Sequence, residues 1–458
     1  MLIETQALAG APVVETGEFY MKRKNSKLQL QLSHQACTAH TRPGGPARIA
    51  AILLIGLTRS AFGAPPWSPP VTLSQAAVFA QAPTVAINDS GAMVAAWARQ
   101  QGFVYNVQAA VNTNGTWSSA VNLSAAGQTA IGPSVAIDSN GVATAVWTTA
   151  NMIQSSTLLP GGSWSAPVAV SDVGLSVLAP QVVVDAAGNA TAMWVRYDNA
   201  GVPALETADR PAGGNWSTPL FLAAGAPGDF TLVVNAAGDV AAIWNIGSFI
   251  SSTGVYSSNR PFGAVWSAPY TMAPPAYRQG GGRISIAANG DLTACWRTNT
   301  EIRVADKPAA GSWGATQTLY TSVAVSEYPT LAVTPSGDAM AAWITYVFVG
   351  STYNYQIRTS VRPLGRRWSK PALLTGRKEN DGEAHAATTP GGSFVLTWVD
   401  SNRFTIKSST RTAATPWSPL AIISSGSDTA LAVAGNTALA IWMGGSFQAT
   451  VSTLAVSP

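Results

Sequence analysis

Residues Pro133 to Trp147 read PSVAIDSNGVATAVW, and this stretch decides the fold. Val135 and Ile137, then Val142, Thr144 and Val146, alternate with a period of two, which predicts two short half-buried strands. Between them Asp138-Ser139-Asn140-Gly141 has the composition of a hairpin turn. Gly141 is placed to take the left-handed backbone conformation, and Asp138 is placed to cap the turn's own amides.

The stretch recurs. Its closing tryptophan is one of eight that end an apolar run, at Trp97, Trp147, Trp194, Trp244, Trp296, Trp343, Trp398 and Trp442. The other eight open Trp-Ser segments at Trp67, Trp117, Trp164, Trp216, Trp266, Trp313, Trp368 and Trp417, with Gly314 replacing the serine once. The Trp-Ser residue and the next closing tryptophan are 30 residues apart in six copies, 28 in one and 25 in the last. Glycine stands six residues before the closing tryptophan in seven copies, and Asn436 takes that place in the eighth. Gln154 to Leu159 supplies a third strand, Pro160-Gly161-Gly162 a turn, and Trp164 to Ser171 a fourth. Four antiparallel strands in a repeat of about 50 residues predict the blade of a β-propeller. The repeats open on a Trp-Ser strand at Trp67 to Ser74 and end on a third-type strand at Phe447 to Val456. The expectation is therefore an all-β, eight-bladed propeller of four-stranded blades, closed by pairing of the N- and C-terminal strands; seven blades and a cap is the alternative.

Composition sets the domain plan. Residues 64–458 are expected to form the propeller as one domain, and residues 1–63 a leader with a secretion signal: translation starting at Met21, basic residues Lys22, Arg23, Lys24 and Lys27, the apolar run Ile49 to Leu57, and cleavage after Gly63. A secreted or periplasmic location follows. Of 26 lysines and arginines, seven lie in residues 21–63; of 22 acids, three lie in residues 1–20; the repeat body balances at 19 of each. The sequence pI of about 9.1 thus belongs to the leader and argues against nucleic acid as a partner. No stretch of the body has the apolar length of a membrane span, and a monomer is expected. Cys37 lies in the leader, so Cys295 is the body's one thiol and, next to Trp296, is expected to be a packing residue.

These Trp-rich repeats resemble the bacterial secreted propellers loosely grouped with sialidase-like repeat proteins, a likeness covering residues 67–458. Asp138 precedes Gly141 by three residues and Trp147 follows by six, so the resemblance to the sialidase Asp-box is architectural. The form and composition of the repeat are also similar to those of propeller lectins that bind sugars between blades. Ala136, Asp138, Gly141 and Trp147 echo the docking motif of quinone-dependent alcohol dehydrogenases, but one body cysteine cannot supply that family's adjacent pair. No cofactor is expected. Nor is a metal site, because His385 is the body's one histidine.

The turns between first and second strands repeat almost unchanged, whereas the loops after the closing tryptophans diverge. A face that abandons the repeat is free to specialise, so any ligand site is expected there. Its candidate ligand-binding residues are Arg99, Arg196, Tyr197, Asp198, Arg283, Arg297, Glu327, Tyr328, His385 and Asp400. A polar pocket of Arg196, Arg283 and Arg297 near Glu327 and Tyr328 would suit a carboxylated or hydroxylated sugar. The expectation is a carbohydrate- or glycoconjugate-binding module without catalytic residues. The alternatives are a glycosidase or sialidase-like hydrolase, with Glu327 and Asp400 as a carboxylate pair, and a protein-interaction platform. Separately, Arg210, Arg260, Lys307, Arg362 and Arg411 each stand six residues before a Trp-Ser tryptophan; Asp209 and Asp306 beside two of them suggest local pairing.

Overall fold

A computed structural model describes residues 67–456, apart from 76–77, 175, 226, 248–251, 323–325, 350–351 and 377–378. The leader, with its expected start at Met21 and cleavage after Gly63, lies outside the described residues. The repeats fold as eight antiparallel sheets, the blades of an eight-bladed propeller. In blade 2 the strands are Ala130–Ile137, Ala143–Thr149, Ile153–Leu158 and Val168–Ala169. Blades 3 to 7 repeat this order, with first strands Ser176–Val184, Pro227–Val234, Gly280–Ile286, Ser326–Val333 and Asp381–Thr388. Blade 1 begins with Ala80–Ile87, and its fourth strand is split into two short pieces. First strands neighbour first strands from blade to blade and form the inner ring. Small residues such as Ala136 suit that narrow position.

Blade 8 is completed by the beginning of the chain. Val71–Thr72 pairs with the third strand Ala449–Ala455, Val71 opposite Val451 and Thr72 opposite Thr450. The Ser68 amide donates to the Thr453 carbonyl (2.7 Å), and the Ser452 hydroxyl donates to the Ser68 carbonyl (2.6 Å). The ring is thus closed at eight blades, and the seven-bladed alternative is set aside.

Adjacent blades are held by tryptophan. All eight closing tryptophans, one on each second strand, are fully buried. Trp147 packs on Val94, Ala96, Val107, Ala109 and Leu123 of blade 1, and Trp164 joins the outer part of the same cluster. Trp194 and Trp216 of blade 3 meet blade 2 in this way, and Trp244 and Trp266 of blade 4 meet blade 3. Each blade turns its two tryptophans toward the preceding blade, one deep and one near the rim. A pair spaced by 30 residues in sequence therefore straddles two blades. Cys295 belongs to the same kind of interface, against Trp343, and burial pushes its thiol up to about 12, as suits a packing residue.

Two features refine the expected blade. Hydrogen-bonded fourth strands shrink to two-residue pieces in blades 1, 2, 6 and 8: in blade 2, Val168–Ala169 and an isolated bridge from Leu158 to Trp164 replace the expected run from Trp164 to Ser171. Most Trp-Ser segments contain proline, as at Pro167, Pro219 and Pro371. A residue without an amide donor blunts the outermost edge against further pairing. The second refinement is a correction. Gly141 has φ +85° and Asp138 accepts the Val142 amide at 2.7 Å, as expected of the turn, but in blade 8 the left-handed residue is Gly435 (φ +50°), not Asn436. The reason is length: Ala434 pairs with Thr437, so this shortened repeat turns in two residues.

Truncating Trp147 to alanine should empty the wedge between blades 1 and 2 and lower stability by about 3 to 5 kcal/mol. The same change at the partly exposed Trp164 should cost less. Denaturant titration of both variants measures the difference.

Candidate functional site

Every first strand is bulged near its beginning. Register shifts lie between Gln81 and Thr84, Ile131 and Ser134, Leu178 and Gln181, Pro227 and Phe230, Gly280 and Arg283, Glu327 and Thr330, Asp381 and Ala384, and Ser427 and Thr429. Bulge residues Ala82, Ala179, Tyr328 and Asp428 have φ of +49° to +53°. A left-handed conformation is unfavourable for residues with a Cβ by roughly 1 kcal/mol or more. Bulges bend a strand and re-aim its side chains. Here they lie at the end of the inner ring that shares its face with the divergent loops.

Three consecutive bulges, in blades 4, 5 and 6, form one side of a cleft of about 270 Å³. Its wall includes Asp229 of blade 4, Gly280, Gly281 and Arg283 of blade 5, and Tyr328 of blade 6; Asn245, Gly247, Thr253, Gln279 and Arg297 complete it. Arg283 donates to Asp229 at 2.6 Å and to the Gly282 carbonyl at 3.0 Å. Gln279 donates to the carbonyls of Thr253 (3.0 Å) and Pro274 (2.8 Å), which fixes its amide in the wall. Gly281 has φ +60°, and a Cβ there would lie 3.2 Å from Pro329, so side chains are excluded where the bulge meets blade 6. Asn245, Gln279 and Arg297 are buried, whereas the Tyr328 ring is half exposed. The cleft offers two guanidinium groups, amides and a phenol against one carboxylate, in a volume that suits a single sugar ring.

Of the expected ligand-binding residues, the structure brings Arg283, Arg297 and Tyr328 into this cleft. The Glu327 backbone adjoins it in the Tyr328 bulge; its side chain lies outside the described residues. Arg196 is engaged elsewhere, in blade 3, where it pairs with Glu206 at 2.6 Å while the Trp194 indole donates to the same carboxylate at 3.2 Å. Tyr197 packs at the border of the interface between blades 3 and 4, and Asp198 accepts the Ala200 and Val202 amides of its own loop. In blade 1 Arg99 donates to Gln75 at 2.6 Å. His385 lies on the first strand of blade 7, opposite Thr397.

Asp400 belongs to a cluster that sequence reasoning missed. In blade 7 Lys407, buried on the third strand opposite Trp398, reaches Asp400 and Glu379 at 3.0 Å each and Asp381 at 3.9 Å. The Trp398 indole donates to Asp381 at 2.9 Å. Burial pushes the Asp381 carboxyl up to about 7. Burial would also raise Asp400, but the hydrogen bond and charge of Lys407 hold it below the usual carboxylate range. The signal available in the sequence was a lysine in the otherwise uncharged third-strand run Thr405-Ile406-Lys407-Ser408-Ser409. With Asp381 and Asp400 both buried, the cluster acts as an internal charge clamp between strands. Among the described residues no group of three or more His, Cys, Asp or Glu is placed to hold a metal ion, and no helix is long and apolar enough to cross a membrane.

The basic row lies at the other end of the blades and serves structure. Arg260 reaches across to Asp209 of the preceding blade, and Arg362 likewise to Asp306. Pairing is thus between blades and not local, because chain neighbours such as Asp209 and Arg210 point to opposite faces of a strand. Arg210, Arg260, Arg362 and Arg411 each lie over the Trp-Ser tryptophan of their own blade, 5.3 to 5.5 Å from the ring centre.

The fold and cleft define a closed eight-bladed propeller with a polar hollow at its inner rim. No protein-family model matches the chain, and no curated protein matches it. Among solved structures, the BP39L lectin from Burkholderia pseudomallei superposes with a TM-score of 0.50 at 12% identity, over 76% of this chain and 100% of that one. The polysaccharide lyase Uly1 gives 0.47 at 8% identity, over 87% and 91%. The Hadza microbial sialidase Hz136 gives 0.35 at 12% identity, over 78% and 74%. Likeness at such identities concerns the fold alone.

The Asp381 carboxyl binds its proton more tightly in the folded chain than at its ordinary value of 3.8. Its contribution to stability is therefore full below about pH 4 and is lost as pH rises to about pH 7. Asp381→Asn removes this titration. The melting temperature of the variant relative to the native chain should rise from pH 5 to pH 8 in a thermal scan; a flat or falling difference contradicts the assignment.

Proposed function

We propose that this is an exported carbohydrate-binding propeller that receives a hydroxylated or carboxylated sugar unit in the cleft between blades 4 and 6. One observation carries the reading: Arg283 and Arg297, on different strands, converge with the exposed Tyr328 ring on a cavity of about 270 Å³. Guanidinium groups donate to sugar carboxylates and hydroxyls in fixed geometry, and an aromatic ring offers a face to the C–H side of a pyranose. Asp229 serves in two ways, orienting Arg283 and offering an acceptor to a ligand hydroxyl. A lectin among the solved structures of this fold supports saccharide recognition as a use the architecture accommodates.

The purified chain should bind saturably to members of a glycan array that includes acidic sugars. Arg283→Gln should weaken that binding by about tenfold, the worth of one charge-assisted hydrogen bond. Tyr328→Gly, which tolerates the left-handed backbone, should weaken it without loss of fold. Absence of binding by the folded chain rejects the proposal, and incubation with any bound glycan tests for hydrolysis.

A further inference from the structure

The cross-blade arginine clamp is complete at two interfaces and lacks its acid at two others: that of Arg411 between blades 6 and 7, where Met340 and Val361 take the places of threonine and acid, and that of Arg210 between blades 2 and 3. Between blades 3 and 4, Arg260 pairs with Asp209 and donates to Thr191 at 2.9 Å, while Thr191 donates to Asp209 at 2.7 Å. Between blades 5 and 6, Arg362 pairs with Asp306 and donates to Thr293 at 3.2 Å, and Thr293 donates to Asp306 at 2.8 Å. The acid and the threonine are opposite each other on neighbouring strands in both cases, Thr191 with Asp209 and Thr293 with Asp306.

Between blades 2 and 3 the equivalent pair is Thr144 and Thr157. Arg210 keeps the rest of the arrangement: it lies 5.3 Å from the Trp216 ring centre and donates to the hydroxyls of Thr144 (2.7 Å) and Thr157. With threonine in the acid's place, no carboxylate among the described residues forms an ion pair with it. Arg210 is 8% exposed, and its Nε is buried without an acceptor. Burial lowers its pKa, partly offset by the charge of Asp138. Asp138 does not replace the missing acid. Its own counterpart, Asp185, lines the cleft between blades 3 and 4 alongside Asp209, so Arg260 there has two acids nearby where Arg210 has one.

The Arg210 interface opens wider than the two that keep the acid. Its cleft measures about 660 Å³, against about 380 Å³ between blades 3 and 4 and about 250 Å³ between blades 5 and 6. Beside Arg210 its wall carries the Trp216 ring and the polar side chains of Asn140, Ser163, Ser165 and Asn215. That is room for a disaccharide with hydroxyl partners around it and a cation at its inner end.

We infer that the cleft between blades 2 and 3 binds an acidic saccharide, whose carboxylate takes the place beside Arg210 that Asp209 and Asp306 occupy in the sister interfaces. The site is on the repeated-turn face and is independent of the cleft near Arg283. A uronate fits the observations: one carboxylate for the arginine, and a hydroxylated ring for the surrounding polar groups.

The test uses the full chain with glucuronate, glucose and acetate as probes, followed by ligand-observed NMR and calorimetry. Glucuronate should bind saturably and glucose about tenfold or more weakly, as expected when a charge-assisted bond is lost. A saturable glucuronate site should persist in the Arg283→Gln chain, whose loop-face cleft is weakened, and this separates the two sites. Thr157→Asp rebuilds the acid of the sister interfaces; added to Arg283→Gln, it should weaken the remaining glucuronate binding at least tenfold while the melting temperature holds or rises. Glucuronate binding that Thr157→Asp leaves unchanged in the Arg283→Gln chain, or no binding by the native folded chain, overturns the inference. Acetate binding as tightly as glucuronate overturns the saccharide assignment.

Discussion

The structure depends on a packing constraint repeated eight times: a wide indole pressed from each blade onto the one before it. A four-stranded sheet of this size has no core of its own, and its two faces become buried only when neighbours stack on both sides. Tryptophan fills the widening gap between radial sheets that alanine-rich inner strands leave narrow at the axis. With a second tryptophan near the rim, each wedge is filled along its length, as Trp147 and Trp164 show against blade 1. Stability is thereby shared among the interfaces, and the loops are released from structural duty.

That division explains how much was legible in the sequence. Trp147, Gly141 and the alternation from Val135 to Val146 state a local geometry, and local geometry repeated eight times fixes the architecture, including its closure through Val71 and Val451. Asn436 misled because the last repeat is shorter and its hairpin turns elsewhere. The site is harder to read for a physical reason. Arg283 and Tyr328 meet Arg297 because bulges on the first strands of blades 5 and 6 aim them at one hollow, and the convergence of two blades leaves no mark in spacing. A partial mark of the bulges was present: proline stands fourteen residues before the closing tryptophan at Pro83, Pro133, Pro180 and Pro329. Asp209 looked like a partner for Arg210 because they adjoin in the chain, yet strand alternation sends it to Arg260 of the next blade.

One position shows where the repeat permits chemistry. On the third strand, opposite each closing tryptophan, stand Gln108, Gln154, Glu206, Tyr256, Arg303, Arg358, Lys407 and Thr450. No two consecutive blades after the second agree except the arginines of blades 5 and 6. The indole is invariant because it carries packing; its cross-strand neighbour varies because that place borders the divergent loops. Glu206 binds Arg196, Arg303 binds Glu301, and Lys407 gathers Asp400 and Glu379. The scaffold thus keeps one polar position per blade open to change without disturbing the wedge beside it.

Closure of the ring also has a kinetic side. Val71 and Val451 are joined in one sheet although almost the whole propeller separates them along the chain. During synthesis the first strand is made long before its partner, so seven blades stack as an open arc with an unfinished edge at each end. Contacts of such long sequence separation form slowly. The final pairing is therefore a late, ring-locking event, and the interval before it is when the chain is most exposed to association with a second copy of itself.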